Sequence, residues 1–254
     1  MTPVAGCWRS TAAISAARPA SHAAPVAACA RGAGALIVTP RAQAATGAAW
    51  DAGRAAEIAA VLRRYPATGV IEDDHAGPVA GVPAFSACSG RARWVTLRSV
   101  SKSLGPDLRV AVVAGDEATI TRVAGRQALG TGWVSYQLQE MVADLWSDAA
   151  AARTLAAAAR VYAGRGAALR SALAEHGITA TGRSGFTCWV PVADEDGVAS
   201  CLAAAGWAVA PGQRFRIAAP PGVRISFARL AEPDAPSFAA DFARALRHRA
   251  SRLD

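Results

Sequence analysis

A strand, a helix and a second strand follow one another early in the patterned part of the chain, and this order restricts the fold most. Residues 35–39 (ALIVT) are a short apolar run typical of a buried strand. Residues 51–64 carry apolar side chains at helical spacing, with an aspartate at the start. The apolar run at 69–72 predicts the next strand. Because such a unit joins parallel strands, we expect an α/β fold with a mostly parallel sheet and helices.

The same patterns divide the rest of the chain. Residues 1–33 contain no acid and no periodicity, so we expect an irregular leader; the alternative is a transit peptide, which shares the enrichment in Arg, Ser and Ala. Residues 34–160 predict a large domain, and residues 161–254, with short alternating elements, predict a smaller C-terminal α+β domain. Further strands are predicted at 94–97, 108–113, 186–192, 207–210 and 223–227. Further helices are predicted at 116–128, 133–147, from there to about 175, at 196–205 and at 235–249.

Composition and motifs exclude several classes of protein. No run of about 20 apolar, uncharged residues occurs, so no membrane span is expected. The five cysteines are an odd number without a CxxC pair, which argues against a disulfide framework and a metal site and favours the cytoplasm. Neither GxGxxG nor GxxxxGK is present. The net charge of +8 comes from arginines spread along the chain, so direct nucleic-acid binding is not expected.

One residue stands apart in this arginine-rich chain. Of the 27 Lys and Arg residues, only Lys102 is a lysine, and it lies in SVSKSLGPDLR between a predicted strand and a Gly-Pro turn. Ligands of open α/β sheets bind at such strand ends, where a lysine can form a Schiff base. The hydroxyls of Ser99 and Ser101 and the guanidinium of Arg109 suit a phosphate group. The alternative is a lysine that survives by chance in a solvated turn.

A cluster of acids follows the strand at 69–72. The sequence IEDDHAG places Asp73 directly after the apolar run. An acid that is packed at a strand end needs a partner, and Asp73 could meet a cationic ring nitrogen there. The alternative is a loop of exposed acids that caps the next element.

Taken in order, these two motifs resemble one family. VIEDDHAG followed by SVSKSLGPDLR is similar to the fold type I pyridoxal-phosphate enzymes, the class I and II aminotransferases. It is more similar still to the aminotransferase-like domain of MocR-type regulators in the GntR superfamily. The resemblance runs from about residue 34 to the C-terminus and also takes in ALIVTPRAQAATG, GTGWVSYQLQ, GWAVAPGQRF and GVRISFARL. It implies the PLP-dependent transferase-like fold, with 34–160 as a partial cofactor-binding domain.

The resemblance implies a role for each matching residue. Lys102 would form the Schiff base with pyridoxal 5'-phosphate (PLP) and carry a proton, and Asp73 would keep the pyridine nitrogen protonated. Arg224 in GVRISF would clamp a substrate α-carboxylate, unless it forms a surface ion pair at a strand start. The cofactor phosphate would be bound by Ser99, Ser101 and Arg109. The implied partners are amino acids, 2-oxo acids and a second copy of the chain, because sites of this family lie at a homodimer interface.

The sequence departs from the family pattern in three places. The asparagine of the usual Asn-Pro-Thr-Gly loop is Ala44, which cannot donate to the phenolic oxygen of the cofactor. The aromatic hydroxyl after the acids is replaced by His75, which can still donate to that oxygen. The family's N-terminal part and the regulators' winged helix have no counterpart here, so we expect an N-terminally truncated member.

Three functional hypotheses therefore stay open. The first is a PLP-dependent aminotransferase that transaminates an amino acid through Lys102. The second is a non-catalytic effector domain that senses PLP or an amino acid, as in a MocR-type regulator without its DNA-binding domain. The third is an inactive, truncated remnant, which the alanine at position 44 also favours.

Overall fold

The internal contacts of the chain separate it into two units. The computed structural model describes residues 11–13, 29, 31–130, 132–217 and 219–250, and gives the backbone alone for 11–13 and 248–250. The first unit comprises the described residues up to Arg41, Ala49–Pro78 and Pro83–Leu155. The second comprises Ala42–Ala48, Val79–Val82 and the described residues from Ala156 onward. The boundary predicted between residues 160 and 161 falls in the same helix as this division, Ala149–Glu175.

The first unit is built on a five-stranded sheet in the order β1-β2-β3-β4-β5. Its strands are β1 (Thr11–Ala13), β2 (Ala35–Val38), β3 (Gly69–Asp73), β4 (Trp94–Ser99) and β5 (Ala111–Gly115). The first four run parallel, as the strand–helix–strand pattern predicts, and β5 runs antiparallel to β4. The prediction of an α/β fold with a mostly parallel sheet is confirmed.

The direction of β5 follows from its short connection to β4. Residues 100–110 join the two strands and contain a 3-10 turn at Pro106–Leu108 but no α-helix. A parallel return would need a crossover of roughly a dozen residues or more, usually helical. The strand predicted at 108–113 therefore begins later, at residue 111, because residues 106–108 belong to the turn.

Part of the predicted irregular leader is a strand. Residues 11–13 form β1, which pairs with Ala35–Ile37 of β2, so the leader prediction is wrong for these three residues. The remaining residues of 1–28 and residue 30, for which the sequence also predicts an irregular leader, lie outside the described residues.

Four helices of the first part of the chain follow the predicted pattern closely. They are α1 (Ala52–Arg63), α2 (Glu117–Leu129), α3 (Tyr136–Ser147) and α4 (Ala149–Glu175). The side chain of Asp51 accepts a hydrogen bond from the amide of Arg54 and so caps α1. Ile58 and Leu62 of α1 are buried with Leu36 of β2 in the core of the sheet. Burial of such side chains is worth roughly 1.5–3 kcal/mol each.

A groove on the first unit is left uncovered beside β5. It has a volume of about 590 Å³ and is lined by β5, α2 and α3 without a charged side chain. Trp133 and Tyr136 at its rim are 73% and 74% exposed. Among the described strands, β5 has β4 as its one neighbour and is an edge of the sheet.

The second unit combines a small antiparallel sheet with helices, as an α+β arrangement. Its strands β6 (Thr187–Pro191), β7 (Ala210–Pro211) and β8 (Gly222–Ser226) lie in the order β6-β8-β7. The helices α5 (Glu195–Ala204) and α6 (Ala235–Ala250) and the C-terminal part of α4 complete it. Leu169, Leu173, Leu202 and Phe242 are fully buried in its core. Among the helices of the described residues, none is long and apolar enough to cross a membrane.

Candidate functional site

Two sequence motifs meet at one edge of the first unit's sheet. Since β3 and β4 are parallel, their carboxyl ends lie at the same edge. Asp73, the last residue of β3, is in register with Leu97 of β4, and the amide of Asp74 donates to the carbonyl of Leu97 at 2.9 Å. β4 ends at Ser99, just before Lys102. The structure therefore brings the acid motif and the lysine motif to the same sheet edge.

Glu72 is a structural acid on one face of β3. Its side chain is buried and accepts hydrogen bonds from the hydroxyl of Ser86 at 2.9 Å and the amide of Ala87 at 2.7 Å. The hydroxyl of Thr96 on β4 donates to it at 3.2 Å. Buried carboxylates persist only with such partners, so Glu72 is fully used by the fold.

Asp74 is the second structural acid. Arg41 donates to it through Nε at 2.7 Å and through a terminal nitrogen at 2.8 Å, and Arg98 adds contacts at 3.0 and 2.8 Å. Burial would raise the pKa of Asp74, but the hydrogen bonds and charges of Arg41, and then of Arg98, outweigh it and lower the pKa below its ordinary value. The alternative of a loop of exposed acids is therefore wrong for Glu72 and Asp74.

Asp73 lies between these two acids but on the opposite side of the strand. Alternation of side chains along β3 gives it the other face, where it is half-buried. No described residue donates a hydrogen bond to its carboxylate or forms an ion pair with it. A half-buried carboxylate without a protein partner is a group that can meet a ligand cation.

His75 presents a second polar group without a protein partner. Its Nε2 is buried and has no hydrogen-bond partner among the described residues. Buried nitrogens of this kind are rare because each costs roughly 1–3 kcal/mol when it is unsatisfied. A ligand oxygen at this place would satisfy it.

Lys102 lies in a tight turn that follows β4. The amides of Ser103 and Leu104 donate to the carbonyl of Val100 at 3.1 and 2.8 Å, and the amide of Ser101 donates to the hydroxyl of Ser99 at 3.2 Å. The side chain of Lys102 is exposed, and within the described ranges no acid pairs with it. Its amine is therefore available to a ligand.

Arg109 follows the 3-10 turn in a left-handed conformation, with φ of 50°. Its side chain is exposed and forms no hydrogen bond or ion pair with the residues that the structure describes. Non-glycine residues seldom adopt this conformation, and they cluster at functional sites when they do. The guanidinium of Arg109 is free to bind an anion.

Arg224 lies in the second unit, on the central strand of its sheet. It is in register with Trp189 of β6 and Ala210 of β7. Its Nε is buried without a hydrogen-bond partner, and the carbon of its guanidinium lies 4.4 Å from the centre of the Phe215 ring. Within the described chain it forms no ion pair, so the alternative of a surface ion pair at a strand start is not what the structure has.

The loop with the altered residue Ala44 is held by its own hydrogen bonds. The side-chain oxygen of Gln43 accepts from the amide and the hydroxyl of Thr46 at 2.8 and 2.7 Å. The hydroxyl of Thr187 donates to the carbonyl of Ala44 at 3.3 Å. The loop keeps a defined turn, but Ala44 presents only a methyl group.

Several residues of these networks were not predicted from the sequence. They are Arg41, Arg98 and Phe215. For Arg41 a signal existed, since an arginine directly after a buried strand shares the sheet edge with the acids of the next strand. Within the described ranges, no group of His, Cys, Asp and Glu could hold a metal ion.

Comparison with known proteins shows which family this chain is similar to. The model of the family described as aminotransferase class I and II matches residues 22–241. The chain is 37% identical over 219 residues to the vitamin B6 salvage pathway transcriptional repressor PtsJ of Salmonella typhimurium, which covers 85% of this chain and 51% of the repressor.

Solved structures show the same fold at low sequence identity. A kynurenine aminotransferase of Pyrococcus horikoshii, in complex with PMP, matches with a TM-score of 0.76 at 19% identity. The match covers 85% of this chain and 57% of the aminotransferase. A multiple substrate aminotransferase of Thermococcus profundus has a TM-score of 0.78 at 17% identity, with 90% and 60% covered. The chain thus has the fold type I aminotransferase-like fold and spans between half and two thirds of the length of these relatives.

Proposed function

The chain belongs to the aminotransferase class I and II family, and from this membership we propose that it binds pyridoxal 5'-phosphate at Lys102 and transaminates an amino acid. The observation that supports the proposal most is the set of unpartnered polar groups at one sheet edge. These are the carboxylate of Asp73, the buried Nε2 of His75 and the amine of Lys102. Each is the counterpart of a different group on the cofactor.

The residues present fit this cofactor. The carboxylate of Asp73 would face the pyridine nitrogen and keep it protonated. The Nε2 of His75 would donate to the phenolic oxygen, a bond that Ala44 cannot supply. The cofactor phosphate would be bound by Ser99, Ser101 and Arg109, with the guanidinium offering a two-pronged donor. When bound, PLP supplies an electron sink for the α-carbon of an amino acid.

Lys102 would do two things in turn. Its Nζ would hold the cofactor, and the same amine would serve as the base that moves a proton at the substrate α-carbon. Arg224, in the second unit, would bind the α-carboxylate that all amino acid substrates share. The product of the proposed reaction is a 2-oxo acid.

Borohydride trapping tests the proposal directly. The protein is mixed with PLP, reduced, digested and analysed by mass spectrometry. Lys102 is the only lysine, so the N-terminal amine is the one other aliphatic amine that could react. The modified peptide shows which of the two carries the adduct. We expect an adduct on Lys102 that is lost in Lys102→Ala and weakened in Asp73→Asn. No adduct, or one that is unchanged in Lys102→Ala, would overturn cofactor binding.

A second candidate function is a sensor without catalysis. The 37% identity to a transcriptional repressor of vitamin B6 salvage favours it, as does Ala44 at the place of an asparagine. The two functions differ in amine transfer. PLP-loaded protein is incubated with a panel of amino acids, and the 2-oxo acid and the aminated cofactor are measured. Lysine adduct with amine transfer supports the enzyme, whereas an adduct without transfer supports the sensor.

Two further features belong to the same proposal. A homodimer is expected from the family, whose sites lie at the dimer interface. A cytoplasmic location is supported by the cysteines, since Cys29, Cys88, Cys188 and Cys201 are free thiols. Sedimentation of the PLP-loaded protein would give the oligomeric state.

A further inference from the structure

We propose that Phe215 is a positioning residue for Arg224 and that it sets the affinity of the protein for carboxylate substrates. The inference rests on the proposed function, in which Arg224 binds the substrate α-carboxylate. Phe215 would not touch the substrate. It would act by holding the plane of the guanidinium.

The contact between the two side chains supports this role. The guanidinium carbon of Arg224 lies 4.4 Å from the centre of the Phe215 ring. At this distance the cation is attracted by the face of the ring. A guanidinium fixed in one plane offers its two-pronged donor in one orientation, and less side-chain entropy is lost when a carboxylate binds.

The hydrogen-bonding of Arg224 leaves this donor free. Its Nε is buried without a partner, and none of the described acids pairs with its terminal nitrogens. The ring of Phe215 therefore restrains the arginine without using any of its N–H groups. An acid in the same place would restrain it too, but would occupy the donors that the substrate needs.

Glu195 fixes the segment that carries Phe215. Its side chain is 6% exposed and accepts from the amide of Gln213 at 2.6 Å and the amide of Gly222 at 2.9 Å. It also accepts from Nε of Arg216 at 2.8 Å. One buried carboxylate thus accepts hydrogen bonds from residues on both sides of Phe215. The donor furthest along the chain, Gly222, lies two residues before Arg224. Burial would raise the pKa of Glu195, but these donors outweigh it and lower the pKa.

The ring of Trp189 supports the same segment from below. A Cβ at Gly212 or at Gly222 would overlap this ring, so both positions need glycine for the close approach. Trp189 is also the register partner of Arg224 across β6 and β8. Glu195 and Trp189 together leave the Phe215 segment little freedom to move away from Arg224.

The test compares Phe215→Leu with Phe215→Tyr, which keeps the ring. The control is Ile217→Ala, because Ile217 lies in the same segment and is fully exposed. In PLP-loaded protein, the affinity for an amino acid and for the matching amine without a carboxylate is followed by absorbance. We expect Phe215→Leu to lower the affinity for the amino acid by roughly 3- to 30-fold and to change the affinity for the amine by less than about twofold. Phe215→Tyr and Ile217→Ala should match the unchanged protein.

A second readout needs no bound cofactor. In the apoprotein, the ring current of Phe215 should shift the Nε–H resonance of Arg224, which Arg224→Lys identifies by its loss. This shift should disappear in Phe215→Leu, persist in Phe215→Tyr and be reduced in Glu195→Gln, which loosens the segment. An unshifted resonance in the unchanged protein would overturn the stacking.

The outcomes separate the inference from the function on which it rests. If the unchanged protein forms no adduct or does not respond to amino acids, the proposed function fails and the inference with it. If the unchanged protein responds and Arg224→Lys lowers its affinity for the amino acid, but Phe215→Leu does not lower it, the inference alone is wrong. Equal weakening of the amino acid and the amine in Phe215→Leu would also contradict it.

Discussion

Arg41 holds Asp74 by two parallel hydrogen bonds, from Nε to Oδ1 at 2.7 Å and from a terminal nitrogen to Oδ2 at 2.8 Å. The pair is buried, with side-chain exposures of 10% and 3%. Replacing one partner of a buried pair leaves an uncompensated charge. We expect Asp74→Asn to lower the free energy of unfolding by about 3–5 kcal/mol, measured by urea denaturation at pH 7. Glu57→Gln, which breaks an exposed ion pair with Arg54, should cost less than about 1 kcal/mol. Equal losses would contradict this role of Asp74.

The same ion pair predicts a dependence on pH. The folded pKa of Asp74 is lowered, so its stabilising effect is complete above the unfolded pKa, about 3.9, and is lost as pH falls through the folded pKa. The stability difference between the unchanged protein and Asp74→Asn should therefore be constant from pH 7 to about pH 5 and shrink below pH 4. A difference that shrinks already between pH 7 and pH 5 would argue against this assignment.

Asp73 should behave in the opposite way, although it is the neighbouring residue. Its carboxylate has no partner among the described residues, so Asp73→Asn should change the free energy of unfolding of the apoprotein by less than about 0.5 kcal/mol. The same variant should lower the yield of the borohydride-trapped adduct, because the pyridine nitrogen loses its counter-charge. Large destabilisation of the apoprotein would show that Asp73 serves the fold and not a ligand.

The contrast between these acids shows what the sequence could predict. The apolar run of β3 and its acidic end were predicted, and period-two alternation would have placed Glu72 and Asp74 together on one face. The sequence gives a signal for Arg41 but none for Arg98, which lies 24 residues away from Asp74. Such pairings depend on strand register, which local patterns do not fix.

The second unit shows the same limit. Arg224 was predicted as a carboxylate ligand from the motif around it, but Phe215 and Glu195 were not predicted as its supports. Phe215 contacts Arg224, which lies nine positions further along the chain, and a lone phenylalanine or glutamate does not indicate in the sequence which side chain it will contact. The antiparallel direction of β5, in contrast, was predictable from its short connection to β4.

Arg224→Ala should separate substrate from cofactor. Since one two-pronged contact to a carboxylate would be lost, we expect amino acid affinity to fall by roughly 10- to 100-fold and PLP affinity to change little. Titrations of PLP and then of an amino acid, each followed by absorbance, provide the comparison. The control is Arg244→Ala, which removes an exposed arginine paired with Asp241. Equal losses for cofactor and amino acid would contradict the role of Arg224.

The thiols should differ in reactivity. Burial raises the pKa of Cys88 and of Cys188 to about 12, so almost no thiolate is present at either residue at pH 8. Cys201 is only half-buried. With limiting iodoacetamide and peptide mass spectrometry, we expect Cys201 to be alkylated well before Cys88 and Cys188 in the folded protein. All three should react alike in urea. Early alkylation of Cys188 in the folded state would mean that the core of the second unit opens readily.

Because β5 is an edge strand, only every second backbone amide of β5 donates a hydrogen bond to β4. The amide of Asp116 donates to Trp94 and that of Val100 donates to Val110, both at 3.2 Å, which makes Val112 and Ala114 the β5 residues whose amides face β4. The amides of Ala111, Val113 and Gly115 point to the other side, where no described strand lies. We expect deuterium exchange to alternate along β5, slow at Val112 and fast at Val113. The segment has no charge and no proline to repel another strand. Slow exchange at Val113 would therefore reveal that a strand has joined this edge in solution, residue by residue.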